Sequence, residues 1–312
     1  MDSKLDSSKT IRMELTGGLG NQLFGYFAGK SLAAKTHSGL ILDGSLIDLK
    51  RTSFCLDSFA IEREIDYSRR DSFSKRLWFR SQRSLNRRMP GLTSKTQDIT
   101  GIIYDAGYGK NVEHILASHR SNLTFSGYFQ DPRYFLNLAA EDSELKLVEP
   151  SAWFQSMLDE IGRFDTIAIH LRFGDFLENV ESIGVLGPSY FAAALDALQF
   201  DSQVRKWVFS DDLQRARHLL RNIDSKQFSY IRCPENGDPA ESLVLMSKAR
   251  ALVTANSTFS LWSALLSSPN TPIVVPEVFH RGSGHKIANL PSTWNAIPSI
   301  WADRASLGLS NE

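Results

Sequence analysis

Two rhythms of apolar residues run along this chain, and their alternation outlines a fold. Residues 11–15 form a first apolar run that ends in a turn rich in glycine at Gly17, Gly18 and Gly20. Residues 21–36 then set Leu23, Phe24, Phe27, Ala28, Leu32 and Ala34 mostly on one face at helical spacing. Residues 39–43 read as a second strand. Strand, loop, helix and strand in this order form the unit from which parallel sheets are built. The stretch 44–120 shows no clear period, and a short strand returns at 123–126.

The second half alternates more cleanly. Strands are predicted at 166–171, 207–209, 228–231, 251–255 and 272–275. Helices are predicted at 152–161, 188–198, 212–222, 239–249 and 258–267. Pro188 and Pro239 fall in a first helical turn, where a missing N–H costs nothing. Short, almost wholly apolar strands between amphipathic helices imply a parallel sheet covered on both faces. The fold class is therefore α/β, with a parallel sheet in the C-terminal part. A boundary near Pro150 separates an N-terminal α/β domain over 1–150 from a C-terminal domain over 151–312.

Composition narrows the function classes. The chain has 312 residues, 42% hydrophobic and 22% charged, which excludes a collagen-like, disordered or disulfide-scaffold protein. Thirty-five Lys and Arg balance thirty-five Asp and Glu, so no global field invites nucleic acid as a partner. Cys55 and Cys233 stand far apart, which suits a reducing compartment, and no Cys/His spacing suggests structural zinc. No run approaches the roughly 18 apolar residues that span a bilayer. The first 15 residues lack the apolar region of a signal peptide. The expectation is a soluble or peripheral protein in the cytoplasm.

Four clusters could carry chemistry. Gly17, Gly18, Gly20, Asn21 and Gln22 lie between a strand and a helix, where glycines let backbone approach a ligand and the helix start offers N–H groups to an anion. Leu23 occupies the third glycine position of the dinucleotide fingerprint, and no Walker lysine follows; a tight packing turn explains the cluster equally well. His170, Arg172, Gly174 and Asp175 sit at the carboxyl end of a strand, where open α/β sheets bind ligands. His170 and Arg172 share one face of that strand end; the structural alternative is an Arg172–Asp175 ion pair beside a hydrogen-bonded core His170. Ser210 and Asp211 follow the next strand, and their plainest reading is a helix N-cap, set against a ligand role. Asn256, Ser257 and Thr258 open a helix with polar side chains and backbone donors suited to a diphosphate, and capping explains only one of the three. No Asp-x-Asp pair of the metal-dependent sugar-transferase type occurs.

Taken together the clusters are more specific than any one of them. Residues 17–26 (GGLGNQLFGY), 127–135 (GYFQDPRYF), 170–176 (HLRFGDF), 208–212 (VFSDD) and 256–266 (NSTFSLWSALL), in this order and spacing, resemble the α-1,2-fucosyltransferase family of inverting glycosyltransferases, over about residues 12–280. The resemblance implies a GT-B-like fold of two Rossmann-like domains, GDP-fucose as donor, and no required metal or other cofactor. It further implies transfer of L-fucose with inversion to the 2-hydroxyl of a galactose-type acceptor, an oligosaccharide or a lipid-linked glycan such as an O-antigen unit. His170, Arg172, Gly174 and Asp175 match the family's His-x-Arg-Arg-Gly-Asp-Tyr pattern, but Phe173 replaces its second arginine and Phe176 its tyrosine. Leu261 likewise replaces a tryptophan.

Arg172 is thus the expected diphosphate ligand, with His170 at the nucleotide or pyrophosphate. Gly18, Gly20, Asn21, Gln22, Ser210, Asp211, Asn256, Ser257 and Thr258 complete the expected donor site. Asp175 is the first candidate for general base and Glu178 the second, with Asp175 equally suited to holding Arg172. Phe173 keeps open a different GDP-sugar or linkage, and a binding protein without catalysis is a further alternative. Residues 69–88 hold eight Lys and Arg against Asp71, around Trp78 and Phe79. Such a segment could contact the anionic inner face of the plasma membrane; a solvated helix burying Leu77 and Trp78 is the plainer reading.

Overall fold

The computed structural model describes residues 9–47, 54–61, 64–66, 81, 102–105, 123–134, 145–201, 203–223, 228–287 and 289–309. The chain divides into two compact units, Met1–Val148 and Glu149–Glu312. The basic segment 69–88 lies outside the described residues apart from Ser81.

In the first unit β1 (Thr10–Glu14) leads into α1 (Leu19–Thr36) and returns as β2 (Gly39–Asp43). The strands β3 (Glu64–Asp66), β4 (Ile102–Asp105) and β5 (Leu123–Gly127) complete a sheet of order β3-β2-β1-β5-β4. Every pairing in it is parallel. This N-terminal sheet exceeds the sequence expectation, because β3 and β4 are three and four residues long inside a stretch without clear period. Strands that short carry too few positions to show an alternation.

The second unit follows its predicted rhythm. Its elements are α2 (Ala152–Arg163), β6 (Thr166–Leu171), α3 (Pro188–Leu198), β7 (Arg205–Ser210), α4 (Leu213–Leu220) and β8 (Phe228–Tyr230). Then come α5 (Pro239–Ser247), β9 (Ala251–Val253), α6 (Thr258–Leu265), β10 (Ile273–Pro276) and β11 (Asn295–Ile297). The sheet order is β11-β10-β9-β6-β7-β8, again all parallel. Among the described residues no helix is long and apolar enough to cross a membrane.

Local chemistry sets the helix starts. Ser151 caps α2, accepting the Phe154 N–H at 3.1 Å, and its own hydroxyl and N–H are both held by buried Glu241 of α5. Asp238 caps α5 and Ser257 caps α6. For α4 the cap is Asp212, whose carboxylate accepts the Arg215 N–H at 2.8 Å. This corrects the expectation of a Ser210 or Asp211 cap: Ser210 instead accepts the Asp212 N–H at 3.1 Å, and Asp211 is left for another task.

The core of the second unit explains Phe173. Along β6 the side chains of Ile167, Ile169 and Leu171 enter one cluster with Val208, Tyr190, Phe191, Ala216 and Leu219. Strand alternation carries past the strand end, so Phe173 joins the same cluster and is fully buried. His170 and Arg172 fall on the opposite parity. The aromatic ring that stands where the family has a second arginine is thus a core residue, not a wall of a ligand site.

Replacing Phe173 with alanine is expected to cost about 3–5 kcal/mol of stability, as for other buried aromatic truncations. Urea unfolding followed by circular dichroism measures this. A loss below about 1 kcal/mol would place the ring outside the core.

Candidate functional site

In the second sheet β6 lies between β7 and β9, and parallel pairing brings the carboxyl ends of all three to one edge. Three loops leave that edge side by side. They carry Arg172 to Asp175, Ser210 to Asp212, and Thr254 to Ser257. This is the place where an open α/β sheet presents ligand-binding groups.

Arg172 is the central cation. Its side chain is 35% exposed, and its guanidinium bonds two carboxylates: Nη2 to Asp175 Oδ1 at 2.7 Å and Nη1 to Asp211 Oδ2 at 3.0 Å. The other Asp211 oxygen accepts the Phe173 N–H at 2.9 Å. Gly174 closes the turn with φ +27°, and a Cβ there would lie 2.7 Å from Asp211 Oδ2. Glu178 lies on the 3-10 turn Gly174–Asn179, and its side chain is exposed. Asn179 of the same turn donates to the Asp175 carbonyl at 3.0 Å.

His170 lies one step inside the edge and is 5% exposed. Its ring centroid is 5.4 Å from that of Phe259 in the first turn of α6. Burial, with Arg172 nearby as a second cause, holds its pKa down at about 3, so the imidazole is neutral through the physiological range. Its Nδ1 is buried and has no hydrogen-bond partner among the described residues. The register of β6 on β9 (Ile169 opposite Val253) places Thr254 beside it, and the buried Thr254 hydroxyl likewise has no partner among the described residues. Sequence reasoning had no signal for Thr254, which reads there as the next residue of an apolar strand. Two buried polar atoms at neighbouring strands thus lack partners among the described residues.

The loop 256–258 divides its work. Asn256 is buried, and its amide nitrogen donates to the carbonyls of Gly184 and Phe279, both at 3.1 Å. Its side-chain nitrogen therefore clips two distant loops together. Ser257 accepts the Phe259 N–H at 3.3 Å as the α6 cap. Thr258, partly exposed, begins the helix.

In the first unit Gly17 (φ +72°) turns the chain into α1, with Asn21 packed against it. The Gln22 amide is buried: it donates to the Gly17 carbonyl at 2.9 Å and accepts the Cys55 N–H at 2.9 Å. Gln22 thus braces the loop from within. Asn21 accepts from Gln130 at 2.9 Å, joining two of the motifs recognised in the sequence. Gly18 has open space where a side chain would stand, and Gly20 is buried in the first helical turn. Among the described residues no three His, Cys, Asp or Glu gather as a metal cage.

Comparison with known proteins adds a family. The model of glycosyl transferase family 11 matches residues 84–297. An alpha-1,2-colitosyltransferase of Escherichia coli is 25% identical over 292 residues, covering 91% of this chain and 97% of its own. The O-antigen biosynthesis glycosyltransferase WbnK of Escherichia coli is 28% identical over 308 residues, covering 90% of this chain and 98% of its own. Among solved structures, a glycosyl transferase family 9 protein of Veillonella parvula superposes with a TM-score of 0.51 at 12% identity, covering 96% of this chain and 89% of its own. That likeness concerns the fold, which is of the GT-B type as expected from the sequence.

The low pKa of His170 has a measurable consequence. In the unfolded chain its imidazole takes up a proton near pH 6.5, whereas in the folded protein it does so only near 3. Its share of stability is therefore intact above pH 6.5 and drains away as pH falls toward 3. Across that window wild type should lose stability about 1.4 kcal/mol per pH unit more steeply than His170→Gln. Urea midpoints from pH 6.5 to 4 measure it, and equal slopes would contradict a buried neutral imidazole.

Proposed function

The chain belongs to glycosyl transferase family 11, and on that premise we propose that it moves L-fucose from GDP-fucose to the 2-hydroxyl of a galactose-type acceptor, with inversion and without a required metal ion. The observation that carries this reading is the Arg172 guanidinium at the carboxyl edge of β6. Among the described residues it donates a hydrogen bond to Asp175 and pairs with Asp211 at 3.0 Å, and its other N–H groups stay open to a ligand.

Inverting transfer breaks the bond from the sugar C1 to the β-phosphate oxygen, forms a bond from C1 to the acceptor oxygen, and removes the hydroxyl proton. Negative charge grows on the departing β-phosphate. Arg172 offers that oxygen a planar, permanently charged fork. The start of α6, at Ser257 and Thr258, adds backbone N–H donors and the positive end of a helix. One pre-aimed charged donor is worth a few kcal/mol in such a site, on the order of a hundredfold or more in rate.

Neutral His170, with Thr254 beside it, supplies hydrogen-bonding atoms to the nucleotide without repelling Arg172. Ser210 belongs to the donor site in this reading on family resemblance. The proton has two candidate acceptors, Asp175 and Glu178. Asp175 bonds Arg172, which supports a holding role, and its carboxylate becomes available once phosphate takes that position. A displacement with oxocarbenium character and a good leaving group asks little of either base.

A second reading has an observation of its own. One of the two relatives that match over nearly all of both chains carries the name of a colitosyltransferase, so another GDP-linked deoxysugar is the alternative donor. Phe173 has no direct part in that choice, being buried in the core.

The test is GDP or UDP release from GDP-fucose, GDP-colitose, GDP-mannose and UDP-galactose in EDTA, with a galactoside acceptor. Turnover on GDP-fucose alone supports the reading. Turnover only on another sugar nucleotide supports the alternative, and binding without any turnover contradicts both. Arg172→Ala should lower turnover by about two orders of magnitude or more; a rate near wild type would remove Arg172 from the mechanism.

A further inference from the structure

The two carboxylates on Arg172 are not equivalent. Asp211 uses both oxygens within the fold, one on the Phe173 N–H at 2.9 Å and one on the guanidinium at 3.0 Å. The backbone it grips belongs to a residue whose ring is locked in the core, so this carboxylate is referenced to the rigid part of the domain. Its side chain is 26% exposed. Asp175 reaches Arg172 at 2.7 Å with one oxygen, from a 3-10 turn, and its side chain is 58% exposed. The chain around Asp211 is arranged for this contact. Asp212 takes over the helix cap and Ser210 takes the Asp212 N–H, so neither duty falls on Asp211. Gly174 supplies the room: a Cβ there would stand 2.7 Å from Asp211 Oδ2 and 3.4 Å from Arg172 Nη2.

We propose that Asp211 is a positioning residue that holds the Arg172 fork in place for the donor, and that Asp175 is an exchangeable counter-ion which the donor's diphosphate displaces. The proposal rests on Arg172 being a diphosphate ligand. Two carboxylates around one guanidinium leave the empty site with a net negative charge, which opposes a diphosphate. Displacing the exposed partner removes that opposition, whereas displacing Asp211 would also release the turn at Phe173. The two aspartates therefore affect nucleotide affinity in opposite directions. Aspartate-to-asparagine changes separate them, since an asparagine at 211 can still accept the Phe173 N–H while its amide offers the guanidinium no anion.

The experiment is calorimetric titration of GDP into the intact protein and the variants Asp211→Asn, Asp175→Asn, Arg172→Ala and the double variant Arg172→Ala/Asp211→Asn. Asp211→Asn should weaken GDP binding about tenfold, the scale of one charged hydrogen bond. In the Arg172→Ala background the same change should have no further effect, because it acts only through the guanidinium. Asp175→Asn should leave the affinity unchanged or tighten it. Multiplicative losses in the double variant would show that Asp211 acts independently of Arg172, and a tenfold loss in Asp175→Asn would overturn the asymmetry. If Asp211→Asn does not fold, Gly174→Ala displaces the same carboxylate without removing it. That variant should reproduce the tenfold loss, and unchanged affinity in it would overturn the proposal. Equal GDP affinity in wild type and Arg172→Ala is a different result: it removes the underlying reading of Arg172 and leaves Asp211 with nothing to position.

Discussion

A guanidinium held between carboxylates just beyond the carboxyl ends of two parallel strands organises the second unit of this protein. Arg172 meets Asp175 on its own loop and Asp211 on the neighbouring one. Neither contact would exist without parallel pairing of β6 and β7, which puts residue 171 opposite residue 210 and lets their loops leave together. The arrangement keeps a cation at a sheet edge without burying it unpaired, which would be costly. It also leaves that cation partly exposed, with donors to offer.

The same strand divides its side chains between two tasks. One parity of β6 enters the core cluster, ending in Phe173, and the other carries His170 and Arg172 of the candidate site. Burial of His170 keeps it neutral beside Arg172 rather than adding a second cation that would compete for the same counter-ions. Asn256 performs an equivalent service at the next strand. By fixing the carbonyls of Gly184 and Phe279 it holds the loop from which α6 starts.

Much of this was legible in the order of residues. Strand β6 and helix α3 have the predicted bounds, the first because six consecutive residues suit a strand buried on both faces, the second because Pro188 opens the helix. The placement of Arg172 and Asp175 just beyond a strand's carboxyl end was legible too, since both follow a strand of predicted bounds. What the chain concealed were contacts between distant residues. Ser210, Asp211 and Asp212 look interchangeable as caps, and only the reach of Asp211 to Phe173 and Arg172 separates them. Gln22 and Asn256 look like ligand-facing amides until the carbonyls of Gly17, Gly184 and Phe279 are found to accept from them. Phe173 looks like an altered site residue because a motif records position, whereas burial depends on strand parity.

The most direct measurement is a crystal structure of the protein with GDP. The account predicts a β-phosphate oxygen within hydrogen-bond distance of the Arg172 guanidinium, a further phosphate contact at the Ser257–Thr258 backbone, and Asp211 still on the Phe173 N–H. Nucleotide bound away from the β6 edge, with Arg172 still paired to both aspartates, would contradict it.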